Sequence, residues 1–139
     1  MCALSLFFLT LAVVGTTTSI LGSNTGQAWA DVFEGTEGPD EIIGTPEDDQ
    51  IDSKGGNDFN LGDSRFQEGS GNDNIISGEG NDNNIGNGGD DNIIGRDGDV
   101  QLTGGVGRDI FVCGEREDDT VTDYNEAEGD IATPDCENI

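Results

Sequence analysis

The stretch that decides the fold is GGVGRDIFV, residues 104–112. It reads Gly-Gly-x-Gly-x-Asp-x-apolar-x, and the same nine-residue phase runs backwards through GRDGDVQLT (95–103), GNGGDDNII (86–94), SGEGNDNNI (77–85) and EGSGNDNII (68–76). It resumes upstream as SKGGNDFNL (53–61), GTPEDDQID (44–52) and GTEGPDEII (35–43). A short fixed period means that the chain stacks repeat on repeat instead of folding around one centre. The sixth position holds Asp40, Asp49, Asp58, Asp73, Asp82, Asp91, Val100 and Asp109, an Asp in seven of eight copies. Stacking sets these carboxylates in a row, and a row of carboxylates needs cations.

Each residue type in the pattern has a physical reason. Glycine admits positive φ and a tight turn, which exposes backbone carbonyls toward a shared centre. A hard cation such as calcium takes six to eight oxygens, so carbonyls and carboxylates from neighbouring turns suit it. The apolar residue two places after the Asp alternates with its neighbours as a strand residue does and points inward. Those eighth-position residues are Ile42, Ile51, Asn60, Ile75, Asn84, Ile93, Leu102 and Phe111.

On these repeats, residues 35–112 resemble the hemolysin-type, repeats-in-toxin (RTX) calcium-binding family. The resemblance implies an all-β fold: a right-handed parallel β-roll, a two-sheet solenoid of nine-residue repeats, closed by a short C-terminal cap. Each hexad turns the chain and each x-apolar-x segment forms a short strand. Several Ca2+ ions then lie between the turns of repeats n and n+2. The implied metal ligands are Asp40, Asp49, Asp58, Asp73, Asp82, Asp91 and Asp109.

Two departures from the pattern matter. Six residues between Leu61 and Glu68, GDSRFQ, break the frame. Either they enlarge one turn, making 62–76 a single long repeat, or they form a degenerate turn without a strand. The enlarged turn is favoured, because it sets Asn60 beside Asn84 in adjacent rungs where their amides can form a ladder. The second departure is Val100, which should weaken or empty one site.

With one inward position per nine residues the core is thin, and the backbone entropy of ordering such a chain is large. The formal net charge of -25 adds self-repulsion. Bound calcium relieves both, so folding and calcium binding are expected to be one event. The same acidity repels nucleic acid and anionic membrane. Calcium bridging to an acidic polysaccharide or a cell-surface partner is compatible with it.

Residues 1–30 carry no charge, with an apolar run from Leu4 to Val14 and an Ala28-Trp29-Ala30 end. That order reads as a secretory signal peptide, although the usual basic start is missing; an uncleaved membrane anchor is the competing reading. Residues 31–34 are a short lead-in, 35–112 the calcium-binding roll and 113–139 the cap. Secretion makes Cys113 and Cys136 a disulfide pair closing the cap. Within it Asp119, Val121, Asp123 and Tyr124 alternate as an edge strand, and Asp130-Ile131 adds another. Val121 and Tyr124 should pack on the last rung, with Asp119 and Asp123 as candidates for a terminal calcium.

There is no His in the chain, so zinc-protease and Ser-His-Asp arrangements are absent, and no GxSxG elbow or phosphate-binding GxxxxGK occurs. The chain is not expected to be an enzyme. Two functions remain: a secreted calcium-binding structural or surface protein, or a calcium-dependent binding module such as an adhesin or matrix protein bridging acidic polymers.

Overall fold

The computed structural model describes residues 18–21, 31–63, 71–114 and 118–139. The period of nine becomes strands that alternate between two parallel sheets. The first sheet has the order β1-β3-β5-β7-β9-β11, formed by Thr18–Leu21, Asp40–Ile43, Phe59–Leu61, Asn83–Gly88, Gln101–Val106 and Thr120–Val121. The second has the order β12-β10-β8-β6-β4-β2, formed by Ile131–Ala132, Ile110–Gly114, Asn92–Asp97, Asn74–Glu79, Gln50–Asp52 and Val32–Glu34. Each strand from β1 to β10 pairs in parallel with the strand two later in sequence, so the chain is a parallel β-roll with no helix among the described residues.

The core is the line of eighth-position side chains between the sheets. Ile42, Ile51, Asn60, Ile75, Asn84, Ile93, Leu102 and Phe111 are all fully buried. Phe33 joins them, because Val32–Glu34 pairs with β4 in register Phe33↔Ile51. The four residues read as a lead-in therefore hold a rung of their own, with Asp31 at the sixth position and Phe33 at the eighth. Strands β6 to β9 run six residues and not three, since the first half of each following hexad also pairs, as in Gly78↔Arg96 and Asn87↔Gly105.

The frame break falls inside one turn. Ile51 pairs with Ile75 and Asn60 with Asn84, so the extra residues sit between β5 and β6 and leave the register on both sides intact. Residues 64–70 lie outside the described residues. The amide ladder expected from that register is present: Asn60 Nδ2 donates to Asn84 Oδ1 at 2.9 Å and to Ser53 Oγ at 2.8 Å, and Asn84 Nδ2 donates to Ser77 Oγ at 2.9 Å.

At the C-terminal end β11 and β12 continue both sheets, Val121 enters the core and Tyr124 packs against it. Cys113 and Cys136 are disulfide-bonded, with Cα atoms 5.1 Å apart. At the other end β1 pairs with β3 in register Ile20↔Ile42, which places a strand within the stretch read as a signal peptide.

Candidate metal sites in two rows of turns

Because strands alternate between the sheets, the turns alternate between the two sides of the roll. One side carries Asp49, Asp73, Asp91 and Asp109, followed by Asp130; the other carries Asp40, Asp58, Asp82 and Val100, followed by Asp119. All seven sequence-predicted carboxylates are buried, none more than 4% exposed. They fall into these two rows and do not share one centre.

Each of these Asp residues except Asp40 uses one oxygen to bind the preceding turn of its row. In the first row the amides of Asp31, Asp49, Asp73, Asp91 and Asp109 donate to Oδ1 of Asp49, Asp73, Asp91, Asp109 and Asp130 at 3.0, 2.8, 2.8, 2.9 and 2.9 Å. In the second row Asp40 donates to Asp58 Oδ1 at 2.9 Å, Asp58 to Asp82 Oδ1 at 2.8 Å and Val100 to Asp119 Oδ1 at 3.1 Å. Val100 offers no carboxylate to the turn of Asp82, so the ladder of this row breaks there.

The second oxygen separates two kinds of turn. Asp58, Asp73, Asp82, Asp91, Asp109 and Asp119 each hold a buried Oδ2 with no hydrogen-bond donor. In the two N-terminal turns that oxygen is taken: the amide of Thr36 donates to Asp40 Oδ2 and that of Thr45 to Asp49 Oδ2, both at 2.5 Å. Thr45 Oγ1 adds a further contact to Asp49, so both Asp49 oxygens are engaged, while Asp40 retains one buried oxygen without a donor. Both of these turns carry Thr at the second hexad position. Lys54, Asn87 and Arg96 hold that position with positive φ in later turns; the Thr residues do not, and their amides turn toward the carboxylate.

Glycine at the first position makes room for the unpaired oxygen. A Cβ on Gly86 would overlap Asp91 Oδ2 and would stand 2.7 Å from the Gly104 carbonyl oxygen. Gly62 stands in the same relation to Asp73 Oδ2 and the Gly86 carbonyl, so the first position of the enlarged turn is placed as in its regular neighbours. Carboxylate and carbonyl oxygens thus line one strip along the row. At Gly95 the neighbour is Val100 Cγ2, a methyl group where other turns place an oxygen.

Such burial makes the charged form expensive. Desolvation, reinforced by the charges of Asp91, Asp63 and Asp49, pushes the Asp73 carboxyl up to about 8 despite its backbone hydrogen bond to Asp49. Burial likewise raises Asp91 to about 7 and Asp58 and Asp109 to about 6. Asp49, Asp82 and Asp119 are raised for the same reason. A cation resolves this conflict. The donor set is all oxygen, which suits a hard ion such as calcium. Among the described residues no three acidic side chains close on a single point, so a cation held here would draw much of its coordination from carbonyls.

Sequence reading missed Asp63, a buried carboxylate of the enlarged turn with neither oxygen paired. Its signal was hidden because the turn is out of frame. Asp31 was also missed as a sixth-position residue, although Gly26 and Phe33 keep the period around it.

Compared with known protein families, the chain matches the RTX calcium-binding nonapeptide repeat, in four copies, over residues 26–59, 69–83 and 85–121. No curated protein and no solved structure matches it. The family match spans more than half of the sequence and agrees with the rows of oxygens in the turns. The chain belongs to the family of RTX calcium-binding nonapeptide repeats, and its cofactor is Ca2+, bound as several ions.

Proposed function

We propose that this is a secreted calcium-binding protein with a structural or surface role, whose roll folds as calcium binds. The observation that carries the reading is the row of buried Oδ2 atoms without donors on Asp58, Asp73, Asp82, Asp91 and Asp109. Carboxylates left in that state oppose folding by their desolvation and mutual repulsion. A cation held by these residues and the neighbouring carbonyls turns the same groups into the source of stability. Asp40 and Asp49 are weaker candidates, since Thr36 and Thr45 already donate to them.

Secretion is supported by the uncharged first thirty residues with their apolar run from Leu4 to Val14, and by the Cys113–Cys136 disulfide, which suits an oxidising compartment. Cleavage after Ala30 would leave Asp31 first, with its nitrogen placed to donate to Asp49 Oδ1 at 3.0 Å. It would also remove β1 and make β3 the edge of its sheet. The absence of His and of a nucleophile elbow fits a protein that binds without catalysing.

Limited proteolysis with intact-mass analysis tests the reading. Secreted material should begin at Asp31, resist protease in millimolar calcium and be cut throughout the repeats in chelator. Equal digestion under both conditions would reject calcium-dependent folding, and a retained N-terminal segment would reject cleavage.

A further inference from the structure

The enlarged turn between β5 and β6 does more than accommodate extra chain. Asp63 stands at its second position, where the other turns of this row carry Thr45, Asn87 and Gly105 and none brings in a carboxylate. It is 2% exposed, and both of its side-chain oxygens lack a hydrogen-bond partner. Among the described residues no other buried Asp leaves both oxygens unpaired. The amides of Gly71 and Gly88 face it without reaching hydrogen-bond geometry. Its backbone is pinned to the next turn of the row: its amide donates to the Gly86 carbonyl at 3.2 Å, and its carbonyl accepts from Asn87 Nδ2 at 3.0 Å. The carboxylate is therefore held within the row, where its charge acts on Asp73 and Asp91 and is itself acted on by Asp49.

We propose that Asp63 is an additional calcium ligand, which makes the position it shares with Asp73 the tightest in its row. This rests on the calcium reading of the turns and goes beyond it, because the nine-residue pattern has no side-chain ligand at this place. An inward carboxylate with two unpaired oxygens is costly to bury unless a cation meets it. Calcium affinity rises with the number of charged ligands around the ion. Since no three described acidic side chains close on one point, Asp63 joins one turn carboxylate and backbone carbonyls, with no three-carboxylate cage. The frame-breaking insertion is then the means by which a repetitive row acquires one distinct site, filled first as calcium rises.

Calorimetric calcium titration of the full chain and of Asp63→Asn, each followed by circular dichroism at saturating calcium, tests this. The wild type should show one class of tight binding ahead of the rest. In Asp63→Asn that class should weaken roughly tenfold or more, a scale reached when the surroundings of a metal are altered. The β-signal at saturation should persist, and the chelated variant should be no less structured than the wild type, because a buried unpaired charge has gone. An unchanged isotherm would overturn the proposal, and so would loss of the β-signal at saturating calcium, which marks a merely structural residue. A wild type that takes up no calcium would instead strike at the calcium reading itself.

Discussion

Asp91 divides its carboxylate between two tasks: Oδ1 accepts the Asp73 amide at 2.8 Å, and Oδ2 stays buried without a donor. With Asp73 before it and Asp109 after it, its turn faces neighbours on both sides, whereas Asp40 belongs to the first turn of the other row. Removing one partner of a buried charge pair costs about 3–5 kcal/mol. Asp91→Ala should therefore raise the calcium midpoint for folding further than Asp40→Ala, and equal midpoints would contradict calcium lying between successive turns of a row. Val100→Asp should act in the opposite sense and tighten binding in the second row by supplying the missing carboxylate beside Gly95, as a lower midpoint would report. The sixth-position carboxylates were legible in the sequence because their phase is regular. Their sorting was not: Thr36 and Thr45 were visible, but the effect of Thr at that place depends on the backbone angle of a turn.

Between residue and molecule lie the rungs, where the polar ladder and the cap decide stability. Asn60 and Asn84 occupy core positions otherwise held by aliphatic and aromatic residues, and they are tolerated because Ser53 and Ser77 accept from them. Asn60→Leu should destabilise the calcium-loaded protein by about 1–3 kcal/mol, since Asn84 Oδ1 and Ser53 Oγ lose their donor. Pairing it with Asn84→Leu should recover part of that loss, a coupling that a double-mutant cycle of denaturant midpoints would expose. The register behind the ladder was one of two frames open in the sequence, and the likeness of NDFNLG (57–62) to NDNNIG (81–86) gave it only slight support. The rung of Asp31 and Phe33 was not legible, because Gln27, Ala28 and Trp29 replace the glycine-rich half of its hexad. In the cap, β11 and β12 are two residues each, and the disulfide ties β10 to the segment after β12. A loop of this size contributes about 3 kcal/mol on the chain-entropy model. Cys136→Ser should accordingly lower the denaturant midpoint in saturating calcium, and an unaltered midpoint would show that strand pairing alone holds the end.

For the whole molecule, a net charge of -25 and buried carboxylates make the calcium-free roll sensitive to pH. Asp73, Asp91, Asp58 and Asp109 have folded-state values of about 8, 7, 6 and 6, all above the ordinary 3.8. The folded state thus binds more protons than the unfolded chain between those limits, and its stability falls as pH rises. That contribution is complete below about pH 4 and is lost progressively up to about pH 8. In chelator the protein should be more structured at about pH 4–5 than at about pH 8, with protons standing in for calcium, and calcium uptake by the protonated roll at about pH 4–5 should release protons. A chelated protein whose β-content rises with pH would contradict the sign. If folding and calcium binding are one event, a calcium titration of the chelated protein at neutral pH, followed by far-ultraviolet circular dichroism, will report both together. The spectrum should be largely unstructured in chelator and gain β-signal cooperatively with a midpoint of roughly 0.1–1 mM, the range of extracellular calcium modules. A β-rich spectrum already present in chelator and unchanged by calcium would contradict it.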